Sequence, residues 1–128
     1  MKKQLDALQE FQEAFGSYIQ YLPNVAIPFE ARELRIKLMR EELKEVEEAM
    51  GEADLAHIGK ELADLLYVVL GTVHAYGLGN KFEAIFDEVH RSNMSKLDKD
   101  GKPIFREDGK VLKSDQFRPA DIDAVLNQ

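Results

Sequence analysis

Apolar residues recur at three- and four-residue steps through most of the chain, the period of amphipathic helices. Leu5, Leu8, Phe11, Phe15 and Ile19 mark a first helix over residues 4–20, with Asp6, Gln9, Glu10 and Glu13 on its other side. Pro23 and Pro28 bracket a loop. Pro28 suits the first turn of a second helix running to about Met50, in which Ala31, Leu34, Leu38, Val46 and Ala49 share one broad face. Residues 51–54 read as a turn, with Asp54 capping a third helix from about Leu55 to Ala75. That helix is apolar on nearly every side, as buried helices are. Gly77 and Gly79 end it, and Asn80 caps a fourth over residues 81–97, with Phe82, Phe86, Val89 and Leu97 as its apolar face.

After Leu97 the pattern changes. A polar turn region at residues 98–103 leads into Ile104–Glu107 and Lys110–Leu112, a short hairpin candidate around Asp108-Gly109 with a type I′ turn. Residues 119–126 can form a last short helix. The pattern predicts an all-α protein: a bundle of about four main helices with a short C-terminal hairpin or irregular tail. It is most simply one domain over residues 1–128, with a helical core at 1–97 and a tail at 98–128.

Composition narrows the function. A net charge of −7 argues against a general binder of nucleic acid or of anionic membranes. It leaves room for a phosphate substrate, because a bound metal locally inverts the field. Without cysteine there are neither disulfides nor thiolate metal sites. No apolar run is long enough to span a bilayer, and the first residues lead into an amphipathic stretch rather than a signal-peptide core. The expectation is a soluble, cytoplasmic protein.

The chemistry concentrates on four acids. Glu61 and Asp64 stand three residues apart in the most apolar helix, one turn apart on one face. Burying ionised carboxylates is costly unless a partner or a metal compensates. Glu42 and Glu45 repeat the spacing upstream. Most charges of the second helix form a solvated face, but Glu42 interrupts the apolar stripe. Two helices offering two carboxylates each make an oxygen-rich cage for a hard cation such as Mg²⁺. His90 and Asn93 lie on the apolar face of the fourth helix, Lys96 lies at its margin, and Arg91 points away. A lone histidine in such a place reads first as a satisfied core residue, and an amide there needs partners. Phe11, Phe15 and Tyr18 read as core, with stacking on a base as the other reading.

The acid pattern resembles that of the MazG-like, all-α nucleoside triphosphate pyrophosphohydrolase superfamily, which also includes phosphoribosyl-ATP pyrophosphohydrolase and the dimeric dUTPases. The family pattern is Glu-x-x-Glu, a gap, then Glu-x-x-Asp. Here it is Glu42-Leu-Lys-Glu45, a gap of 15, then Glu61-Leu-Ala-Asp64, with the doubled acid Glu41-Glu42 in front. Phe11-Gln-Glu-Ala-Phe15-Gly16, Leu34-Arg35-Ile36-Lys37-Leu38, the segment Glu88–Leu97 and Asp100-Gly-Lys-Pro103 resemble a bacterial and phage branch.

The resemblance implies hydrolysis of a nucleoside triphosphate between the α- and β-phosphates, giving a monophosphate and pyrophosphate. Glu42, Glu45, Glu61 and Asp64 would hold Mg²⁺, or Mn²⁺, and Glu41 would position or deprotonate the attacking water. Asn93 and Lys96 are candidates for phosphate or base contacts, with His90 beside them and Arg91 serving across an oligomer interface. Homodimers or homotetramers are implied too, in agreement with the apolar girth of the third helix. Three other readings compete. One is phosphoribosyl-ATP hydrolysis. Another is a non-catalytic nucleotide-binding helical module. The third is a di-iron carboxylate protein, which is disfavoured because the one Asp87-x-x-His90 spacing leaves an all-oxygen set suited to Mg²⁺ or Mn²⁺.

Overall fold

A computed structural model describes residues 1–128. The fold is all-α, with helices α1 (Lys2–Phe15), α2 (Phe29–Glu52), α3 (Leu55–Ala75) and α4 (Phe82–Met94), a hairpin of β1 (Ile104–Phe105) and β2 (Val111–Leu112), and a short α5 (Ile122–Leu126). Contacts group the chain into two compact units, Met1–Asn80 and Lys81–Gln128. The expected division fell at residue 97; α4 instead groups with the hairpin and α5.

In the first unit α3 is the central element, packing along α2 and against α1. Leu5, Leu8, Val46, Ala49, Leu70, Val73 and Ala75 form its buried core. Polar side chains are buried with them. Gln12 donates through Nε2 to the carbonyl of Tyr18 at 3.0 Å. Arg35 donates through Nε to the Thr72 hydroxyl and through Nη2 to the carbonyl of Val68. His74 lies 2.7 Å through Nε2 from the carbonyl of Leu5, which can only accept, so that nitrogen carries the proton.

The helix ends differ from the sequence pattern at identifiable residues. The apolar period continues to Ile19, yet α1 stops at Phe15 because Gly16 takes a left-handed conformation, φ 69°, and its N–H turns back to the Gln12 carbonyl. Gly51 lies inside α2, and the left-handed residue that ends the helix is Ala53, φ 55°. Asp54 caps α3 as expected, accepting from the His57 N–H. The loop between α1 and α2 closes over the far end of α3: Gln20 donates from its backbone to the His74 carbonyl and from its side chain to that of Ala75, while the Asn24 N–H reaches Tyr76. The carbonyls of Ala75 and Tyr76 at the helix end thereby gain donors, and that of His74, which also accepts from the Gly77 N–H, gains a second one.

In the second unit α4 packs against α5, whose Val125 is buried. No Asn80 cap forms; Lys81 stands at the cap position and its side chain makes no capping hydrogen bond. The hairpin pairs Ile104 with Leu112 and Phe105 with Val111. Its turn is not type I′, because Asp108 does not adopt the positive φ which that turn requires. The Gly109 N–H bonds the Arg106 carbonyl, Gly109 alone is left-handed, and the Asp108 carboxylate accepts from the Lys110 N–H. The result is a three-residue loop with the glycine at its close.

Candidate metal centre

Glu42 and Glu45 stand one turn apart on α2, and Glu61 and Asp64 one turn apart on α3. The packing of these helices brings the four carboxylates together: one oxygen from each lies within 4.8 Å of the others. Glu61 is 4% exposed, Glu42 and Asp64 are half-buried, and Glu45 is at the rim. Oε2 of Glu42 and Oε2 of Glu61 are both buried without a hydrogen-bond partner. Buried carboxylate oxygens without donors are expensive. An oxygen-only set with two orphaned atoms fits a hard divalent cation, which would take several carboxylates and keep water or phosphate as its other ligands.

The electrostatics carry the same strain. Glu45 sits against Glu61 and Glu42, and hydrogen bonding of its protonated form to Glu61 first and Glu42 second, with their like charge added, holds its pKa up to about 7. Lys60, and His57 when it is protonated, offset part of the charge from the outside. Lys60 lies 2.6 Å from Oδ2 of Asp64 and 3.4 Å from Oε1 of Glu61, and its ammonium is pushed up to about 12, by Asp64 first and Glu61 second. His57 bridges Glu52 at 2.7 Å and Oε1 of Glu61 at 3.2 Å, and its pKa is raised, chiefly by Glu52. Neither residue stood out in the sequence, although each precedes an acid of the set by four positions, the distance at which helical side chains meet.

The other expected site residues are placed as follows. Glu41 is exposed on α2, next to Glu42. His90 and Asn93 are on the α4 face that carries Phe86 and Val89, but this face is exposed rather than core. Lys96 is half-buried just past the helix. Arg91 does not simply point to solvent: it pairs with Glu88 at 2.5 Å and donates to the Pro119 carbonyl at 3.1 Å. Phe11, Phe15 and Tyr18 are exposed and not core, and the Phe11 ring packs edge-on to Tyr67 with centroids 5.3 Å apart.

Compared with known families, residues 8–93 match the model of phosphoribosyl-ATP pyrophosphohydrolase. The match contains α2, α3 and all four clustered acids. No curated protein matches the chain.

Proposed function

The chain belongs to the phosphoribosyl-ATP pyrophosphohydrolase family, and from that premise we propose that it hydrolyses a nucleoside triphosphate between the α- and β-phosphates with the help of Mg²⁺. Membership makes it a pyrophosphohydrolase, an enzyme acting on acid anhydrides. The observation that carries the metal-dependent reading is the cluster of Glu42, Glu45, Glu61 and Asp64, with its two buried, partnerless oxygens. When bound there, Mg²⁺ or Mn²⁺ supplies neutralisation of phosphate charge and fixes the phosphates for in-line attack.

The chain's own residues divide the remaining work. Glu41, exposed beside Glu42, holds the attacking water and takes its proton. Asn93, Lys96 and His90 contact phosphate or base, Lys96 as a point charge. Arg91 reaches a phosphate only by giving up Glu88 and Pro119, so its part is to hold the tail segment in place. Phe11 and Tyr67 offer an exposed aromatic step for a base, and Tyr67 lies one helical turn beyond Asp64.

We further propose a homodimer or homotetramer acting in the cytoplasm. Leu62 and Leu66, one turn apart on α3, are each 45% exposed, which favours cover by a second copy. No helix is long and apolar enough to cross a membrane. A monomeric mass at micromolar concentration would remove the assembly from this reading.

The family's own named reaction, on phosphoribosyl-ATP, is the second reading, favoured by the matching model. One experiment separates the two: a panel of ribo- and deoxyribonucleoside triphosphates, standard, oxidised and deaminated, run with phosphoribosyl-ATP and Mg²⁺. Pyrophosphate and orthophosphate are scored separately. Pyrophosphate from one or a few triphosphates, lost in Glu42→Gln and Asp64→Asn, supports the first reading. Pyrophosphate from phosphoribosyl-ATP alone supports the second. No product from folded, metal-loaded protein rejects both in favour of a nucleotide-binding module.

A further inference from the structure

We propose that Lys60 is a tethered counter-cation of the acid cluster, displaced when a divalent ion enters, and that it thereby sets the cation affinity of the site. This rests on the reading of Glu42, Glu45, Glu61 and Asp64 as metal ligands. Lys60 touches two of the four, Oδ2 of Asp64 at 2.6 Å and Oε1 of Glu61 at 3.4 Å. It covers only the outer side of the cluster. The buried Oε2 atoms of Glu42 and Glu61 remain without donors, so the ammonium leaves the inner half of the charge uncompensated.

Lys60 is also built to leave. Its side chain is 65% exposed, so the ammonium can swing into water without unpacking the core. His57 is a weaker candidate for this role, because it is shared with Glu52 and its charge varies with pH, whereas Lys60 is charged throughout. An ion bound to Asp64 and Glu61 would meet an ammonium beside it. Two like charges a few ångströms apart in a water-like dielectric repel by an amount worth roughly threefold to tenfold in affinity for a divalent ion. Lys60 either pays that repulsion or gives up its two carboxylates, and both weaken the ion's binding.

The test is calorimetric titration of MgCl₂ and MnCl₂, at one pH and ionic strength, into the wild type, Lys60→Gln and Lys60→Arg. The expected result is cation binding about threefold to tenfold tighter in Lys60→Gln, with Lys60→Arg close to the wild type. A wild type that binds the ion while Lys60→Gln binds it equally or less tightly overturns the proposal and leaves the metal site standing. Equal tightening in Lys60→Arg also overturns it, since the charge would then not be the cause. A folded wild type that takes up neither cation rejects the metal site, and this inference falls with it.

Discussion

Arg35 crosses α3 directly over Gly71, so closely that a β-carbon on the glycine would overlap the Arg35 guanidinium. The same β-carbon would lie 2.5 Å from Oε1 of Gln12. One glycine thus lets a side chain from α1 and another from α2 meet on the surface of α3. Neither is free to retreat: Arg35 is held by Thr72 and Val68, and Gln12 by the Tyr18 carbonyl. Arg35 is 8% exposed, and burial lowers its pKa without removing its charge.

Gly71→Ala should therefore destabilise the protein, although alanine is the better helix former. Displacing two buried, bonded side chains costs about 2–3 kcal/mol, the upper part of the range for overpacking, against roughly 1 kcal/mol gained in helix propensity, for a net loss of about 1–2 kcal/mol. Urea unfolding measures it. In an Arg35→Met background the guanidinium is gone while the Gln12 contact stays, so Gly71→Ala should cost less than it does in the wild type. An equal loss in both backgrounds would show that Arg35 is not the obstacle.

Glu61→Gln should separate the metal's contribution from the fold's. Removing one charge from the cluster relieves repulsion, so without added metal the variant should melt at or above the wild-type temperature. Mg²⁺ at about a hundred times its dissociation constant should stabilise the wild type by roughly 2.7 kcal/mol. The variant should lose most of this gain. Thermal melts of both proteins with and without Mg²⁺ decide it, and an equal metal-induced shift in the two would exclude Glu61 as a ligand.

Much of this arrangement was legible in the sequence because it obeys helical spacing. The pairs Glu42/Glu45 and Glu61/Asp64 announce shared faces by their three-residue step, and the long apolar period fixes α3 within its observed bounds. The buried polar belt was missed for an equally physical reason. Arg35 precedes Glu42 by seven residues, two turns on the same face, but an arginine in a charge-rich helix reads as solvated unless its partners are known. Those partners are carbonyls and a hydroxyl of α3, which no pattern in α2 encodes. The end of α1 and the hairpin turn fail differently. There a single backbone angle, at Gly16 and at Asp108, outweighs the hydrophobic period and the Asp-Gly signal.

Glu41→Gln should lower kcat by about 10²-fold or more while sparing Mg²⁺ binding, if its carboxylate takes the proton of the attacking water. The amide keeps size and hydrogen bonding but cannot accept that proton. KM should change little, since Glu41 lies outside the cluster that would hold the phosphates through the ion. Steady-state kinetics on the substrate found in the nucleotide panel, together with a Mg²⁺ titration, separates the effects. Wild-type turnover would remove Glu41 from the mechanism.

The C-terminal unit should respond to acid through Glu88. Its carboxylate accepts the Arg91 guanidinium and the Asp121 N–H, at 3.0 Å, in front of α5. Arg91 first and the Asp121 N–H second hold its pKa at about 2, below an ordinary 4.5. The folded value lies below the unfolded one. The stabilisation is therefore complete above about 4.5 and is lost as the pH falls from there through about 2. Following the Asp121 amide resonance through an acid titration should give a midpoint near 2. Glu88→Ala should abolish that titration and leave the Asp121 and Ala124 amides less protected from exchange at neutral pH, because the segment leading into α5 loses its anchor on α4. A midpoint near 4.5 in the wild type would mean that Glu88 does not hold Arg91 and Asp121 in solution.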